Sequence, residues 1–245
     1  MSGPRRESRV AGWVAVAATG VAFVVVAFSL PIDDFWLSLA SGRAILHGAD
    51  LSRAIPLTWL PVIPDALNPQ WGAQVVLAAV DTLAWALAAN ALLLAVGMGV
   101  TLERMRRHAS PAAIAIAALL SLAVLSVHLL ARAQSFSIAL FPLSLLLLER
   151  LRGRWWLPVA FALLTAVWAN LHGAFIVGQL AAACAMTGAA WDASRRRDAA
   201  LAHDAWLYAA TLAAAFAAPL VNPVGTQLLG YAYSQGTSDL EIGRA

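Results

Sequence analysis

Residues 150–197 read Arg150-LRGRWWLPVAFALLTAVWANLHGAFIVGQLAAACAMTGAAWDASRR-Arg197. Arg150, Arg152 and Arg154 open the stretch, Arg195, Arg196 and Arg197 close it, and no Asp, Glu, Lys or Arg lies between Trp155 and Trp191. A helix needs about 20 apolar residues to cross the hydrocarbon layer of a bilayer. The run is too long for one crossing, and the polar tetrapeptide Asn170-Leu-His-Gly173 sits near its middle. Two spans joined by a turn at 170–173 follow, with both basic clusters on the same side. Basic residues stay on the cytoplasmic side of inserted helices, so the turn faces outward.

The rest of the chain repeats this grammar. Twelve of the sixteen arginines fall in four clusters, the other two being Arg5/Arg6/Arg9 and Arg104/Arg106/Arg107; only Arg43, Arg53, Arg132 and Arg244 lie elsewhere. Alternating sides from a cytoplasmic N-terminus predicts an all-α, polytopic transmembrane bundle. About seven spans are expected, near residues 11–30, 83–102, 111–130, 136–148, 155–171, 175–191 and 206–221, forming a single module in a plasma or inner membrane. Ala27-Phe-Ser29 resembles a signal-peptidase site, but the apolar run before it is longer than a signal h-region, so 11–30 reads as an uncleaved anchor. The stretch from Trp71 to Leu102 is interrupted by Asp81-Thr82, and an ionisable group inside a lipid-facing span is costly. It divides into a surface helix over about 69–80 and a span from 83, with Asp81 at the interface.

Composition supports a membrane class. Of the 245 residues, 61% are hydrophobic and 12% charged, against about 25% charged in soluble domains. The net charge of +3 does not point to nucleic acid, because the arginines flank apolar spans instead of forming a basic stripe. They read as topology signals and contacts to anionic headgroups. A lone Cys184 excludes a disulfide framework and a cysteine metal site.

The outer loop, 31–80, is the only long polar segment. With the outer turns it gathers Asp33, Asp34, Asn68, Gln70, Arg132, Gln134, Asn170, His172 and Asn222 on one face. Each has a plain structural reading. Asp33 suits a helix cap, Asn170 to Gly173 a glycine-capped helix end, and Asn222-Pro223 a turn. Their collection at one membrane face is the feature that suggests a lined cavity. From Asp34 to His47 apolar residues recur at helical spacing, predicting an interfacial helix with Trp36 at headgroup depth; Trp71 is expected to anchor a second.

Asp34-Phe-Trp with Gly42-Arg-Ala-Ile and His47-Gly48, then Asn68-Pro-Gln-Trp71, Arg132-Ala-Gln134, Asn170-Leu-His-Gly173 and Asn222-Pro-Val-Gly225, form an ordered set. From about Gly12 to Gly225 the set resembles bacterial integral-membrane glycosyltransferases of the GT-C superfold. One branch of these reads Asp-x-Trp-Trp-His, Gly-Arg-x-Ile, Glu-Trp, Arg-Pro-Gln, Trp-Ala-Asn-x-His-Gly and Asn-Pro-x-Gly. The resemblance implies a seven-helix module whose first outer loop carries two helices lying along the membrane. It also implies sugar transfer from a polyprenyl-phosphate-type donor to an extracytoplasmic glycan, lipid or protein acceptor, without nucleic acid. Asp34 falls on the family aspartate, a general base for the acceptor hydroxyl, with Asp33 beside it. Arg132, His172 and Arg43 are then candidates for the departing phosphate, with Gln134 and Asn170 near the substrate.

The chain departs from that pattern at Leu37, Ser38 and Gln70, where the family has Trp, His and Glu. Asp33 and Asp34 could supply oxygen ligands to Mg2+ or Mn2+, but Gln70 leaves a third protein ligand unidentified. The family also carries further helices after the module, so the resemblance implies a truncated or minimal form. A noncatalytic scaffold or degenerate relative is the alternative. A transporter fits less well, since no repeated halves with interrupted helices are visible.

Overall fold

The computed structural model describes residues 13, 17, 20, 33–53, 67–80, 82–105, 109–125 and 132–231. Among these the chain is helical and forms no strand, only an isolated antiparallel bridge between Arg53 and Leu67. The helices are α1 (Asp33–Leu46), α2 (Trp71–Ala79), α3 (Leu83–Met105), α4 (Pro111–Leu125), α5 (Gln134–Arg150), α6 (Leu157–Leu171), α7 (Phe175–Arg196) and α8 (Ala199–Ala217). A 3-10 turn, Ala218–Val221, continues α8, and residues 227–231 are helical again. Of the first expected span, 11–30, only Trp13, Ala17 and Gly20 are described, and they are helical. Asp81 and the arginines at 5, 6, 9, 106, 107 and 244 lie outside the described residues.

Local chemistry explains most boundaries. The α1 helix ends in a Schellman motif: Ala49 N donates to the Ala44 carbonyl and Gly48 N to that of Ile45, with Gly48 at φ +99°. Thr82 Oγ1 accepts from Trp85 N and starts α3. Ser110 Oγ accepts from Ala113 N ahead of Pro111, the first residue of α4. Asp198 accepts from Ala200 N and Leu201 N, so α8 starts at Ala199 and not near 206 as hydropathy alone suggested. Trp155 and Trp156, expected in a span, form the turn before α6 instead. Gln134, expected in an outer loop, is the first residue of α5.

Two compact units emerge: Met1–Trp36 with Val80–Leu143, and Leu37–Ala79 with Ser144–Ala245. In the first, Ile114 and Ala115 of α4 pack with Leu102 and Met105 of α3. Pro142 offers no N–H to the Ile138 carbonyl one turn back, and that carbonyl lies against Gly97, where any Cβ would overlap it.

In the second unit α8 packs on α6 and α7, and α2 packs on α6. The core joins Leu148, Leu151, Leu157, Phe161, Ala182, Ala189, Tyr208 and Ala215. Near one end Tyr208 Oη donates to the Leu148 carbonyl and Arg152 Nε to Asp204 Oδ2 at 2.7 Å. That bond to Asp204 holds the Arg152 guanidinium above its ordinary pKa. Toward the other end Gln179 Nε2 donates to the Ala215 carbonyl at 2.9 Å. The reason is local: residue 219 is proline, with no N–H for the Ala215 carbonyl. In a buried helix that carbonyl would otherwise lack a donor.

Two helices, Leu83–Met105 and Ala199–Val221, are long and apolar enough to cross a membrane, and Pro111–Ser121 and Leu157–Leu171 are shorter apolar helices. Large aliphatic side chains remain exposed along them, among them Leu92 and Val96 on α3, and Val159, Leu163 and Val167 at successive four-residue steps on α6.

Candidate functional site

Within the second unit, the helices of residues 37–79 meet their neighbours through glycines. At Gly42 an added Cβ would overlap the Gln74 carbonyl, so α1 and α2 meet backbone to backbone. At Gly72 it would come within 2.7 Å of the Asn170 carbonyl, which places α2 close against the end of α6. Only residues without a Cβ permit such contacts.

Hydrogen bonds then lock the junction. Asn68 is buried; its backbone N donates to the Ser52 carbonyl and its Nδ2 to Gln74 Oε1 at 2.8 Å. Trp71 Nε1 donates to Asn170 Oδ1 at 2.7 Å, and Asn170 Nδ2 donates to the Ala166 carbonyl. Asn222, only 3% exposed, donates from Nδ2 to the carbonyls of Ala169 (3.0 Å) and Pro69 (3.4 Å). Its Oδ1 accepts from Val224 N and its carbonyl from Gly225 N, closing a turn with Gly225 at φ +61°. Four pieces of chain, 52–53, 67–74, 166–172 and 222–225, are thereby tied at one end of the unit.

The expected site residues divide accordingly. Asn170 is engaged through both side-chain atoms, and its role in the structure is to hold Trp71. Trp71, expected at a membrane interface, is partly buried and uses its indole donor inside the protein. His172 follows α6 with extended backbone, not the glycine-capped end expected there, and its Nδ1 accepts from Ala174 N at 3.3 Å. A neutral ring accepting at Nδ1 carries its proton on Nε2, which makes Nε2 a donor. Arg43 is exposed in the last turn of α1, where the helix dipole favours a cation.

In the first unit, Asp33 and Asp34 form the start of α1, while their side chains lie outside the described residues. Trp36 is exposed and meets Phe35 edge to face at 5.0 Å. Arg132 is half-buried just ahead of α5, and Gln134 opens that helix. Among the described residues no group of three His, Cys, Asp or Glu could hold a metal ion.

Sequence reasoning missed the Asn68–Gln74 and Trp71–Asn170 pairs, and it missed Asp50. Asp50 accepts from Ser52 Oγ and Ser52 N, and these bonds hold its carboxyl below the ordinary value. The Asp-x-Ser spacing was the available signal. No family model, curated protein or solved structure matches the chain.

Proposed function

We propose that the chain is a multi-pass membrane glycosyltransferase of the GT-C type, with its N-terminus cytoplasmic. It moves a sugar from a polyprenyl-phosphate-type donor to an acceptor outside the cytoplasm, and Asp34 is the general base.

The observation that carries the reading is the construction of the outer loop. Two short helices, α1 and α2, are joined through Gly42, and α2 is pinned by Trp71 and Gly72 to the end of α6 that holds Asn170 and His172. The resemblance implies two helices in this loop and an acidic residue at the active site, and the pair α1 and α2 supports that reading. Asp34 is the second residue of the first of these helices. A carboxylate within reach of an acceptor hydroxyl removes its proton as the oxygen attacks the sugar carbon. The leaving phosphate takes the developing charge, and the resemblance, not any contact between the units, names Arg132 and His172 for it, a guanidinium and an N–H being suited donors. Arg132 precedes a helix start, where a cation gains nothing from the macrodipole; an anion beside it is attracted by both.

Exposed aliphatic stripes support the membrane setting, since each large side chain left in water forgoes about 1.5–3 kcal/mol of burial. Seven crossings follow if 11–30 and the shorter apolar helices also span.

A noncatalytic scaffold is favoured by one observation: Asn68, Trp71 and Asn170 bond to other parts of the protein. The two readings separate in a transfer assay on the reconstituted chain with a panel of polyprenyl-phosphate hexoses and pentoses. Transfer from one donor is expected, with a loss of at least 100-fold in Asp34→Asn at unchanged expression and melting temperature. Unaltered transfer in Asp34→Asn removes the base assignment, and no transfer with any donor favours the scaffold.

A further inference from the structure

We propose that the arginine-rich end of the second unit is a docking surface for anionic phospholipid headgroups, made by Arg154, Arg195, Arg196 and Arg197 and excluding Arg152. The inference rests on the membrane reading above and deepens it by naming which cations meet lipid.

Two independent features coincide there. The first is a set of exposed indoles. Trp155, Trp156, Trp191 and Trp206 are 79%, 43%, 63% and 77% exposed. All lie close in sequence to the arginine clusters or to the start of α8. Rings of this size, apolar with one N–H, gain most at the boundary between hydrocarbon and headgroups. The Arg195 guanidinium sits 5.8 Å from the centre of the Trp191 ring, so the charge is carried on the indole itself.

The second feature is how the acids are used. Between residues 149 and 204 six arginines face four acids, Glu149, Asp192, Asp198 and Asp204. Asp198 caps α8 through its bonds to Ala200 N and Leu201 N. Asp204 bonds Arg152 at 2.7 Å, and Asp192 lies near enough to act on the same guanidinium. Glu149 is half-buried. Two of the four acids are thus committed by hydrogen bonds, Asp204 to Arg152 and Asp198 to a helix start. Arg154, Arg195, Arg196 and Arg197 are exposed beyond them. Guanidinium groups hold phosphate through paired N–H donors, and a headgroup phosphodiester whose charge no cationic group neutralises complements this collar.

The test is native mass spectrometry of the full chain in micelles doped with equal phosphatidylglycerol and phosphatidylcholine, for wild type, R195Q/R196Q/R197Q and Arg152→Gln. Each arginine near an anionic surface contributes about fivefold in retention, equivalent to about 1 kcal/mol. Wild type is expected to retain phosphatidylglycerol over phosphatidylcholine by at least tenfold, decreasing with added salt. The triple variant should lose that preference with its circular dichroism and melting temperature unchanged, while Arg152→Gln keeps it. Equal retention of the two lipids by wild type, an unaffected triple variant, or an equal loss in Arg152→Gln would overturn the proposal and leave the membrane reading standing. Release of the chain from cell membranes by alkaline carbonate would overturn both.

Discussion

Asn222 ties three separate pieces of chain in the polar junction. Its side chain donates to two carbonyls and accepts one N–H, so Asn222→Ala strands all three in a buried place. We expect a destabilisation of about 1–3 kcal/mol, read as a lower melting temperature of the purified chain. Gln179 offers a sharper test, because its bond to the Ala215 carbonyl exists in answer to Pro219. Gln179→Leu should cost about 1–3 kcal/mol alone and markedly less in a Pro219→Ala background, where residue 219 regains the N–H that α8 lacks. Equal costs in both backgrounds would refute the compensation. Asn222-Pro-Val-Gly225 was legible as a turn from its residue types. The partners of Asn222 and Trp71 were not, since Trp71 and Asn170 are 99 positions apart and no local pattern encodes the pairing.

At the scale of elements, caps and breakers were the readable signals. Asp81-Thr82 marks the break before α3, and the helix end at Gly48 follows from the glycine. The start of α8 was placed too late because His203 and Asp204 dilute the hydropathy that defined the span. The capping signal, Asp198 ahead of an alanine-rich turn, was present and outweighed it. Close helix approach was invisible, because the sequence does not say which glycine meets a backbone. Gly42→Leu should separate α1 from α2, at a cost of about 3 kcal/mol or more, and speed limited proteolysis between residues 46 and 53. Gly99→Ala, where the added Cβ meets open space, is the control expected to cause no destabilisation and no faster proteolysis.

For the whole molecule, the helical class was evident from composition, and the direction of α6, α7 and α8 from the alternation of arginine clusters with Asn170-Leu-His-Gly173. Within the second unit Arg152 and Asp204 pair near one end, and Asn170 and Asn222 lock the other. The number of crossings was less legible, since α4 and α6 are shorter than a full span and apolar length alone does not separate a crossing helix from a buried one.

The most direct measurement is the accessibility of single cysteines in right-side-out and inverted membrane vesicles, after Cys184→Ala removes the native exposed thiol. His47 just after α1 and Ser194 next to the arginine cluster in sequence are both exposed. A membrane-impermeant maleimide should label His47→Cys only in right-side-out vesicles and Ser194→Cys only in inverted ones. Labelling of both from the same side would contradict the assignment of Asp34 and the polar junction to the outer face.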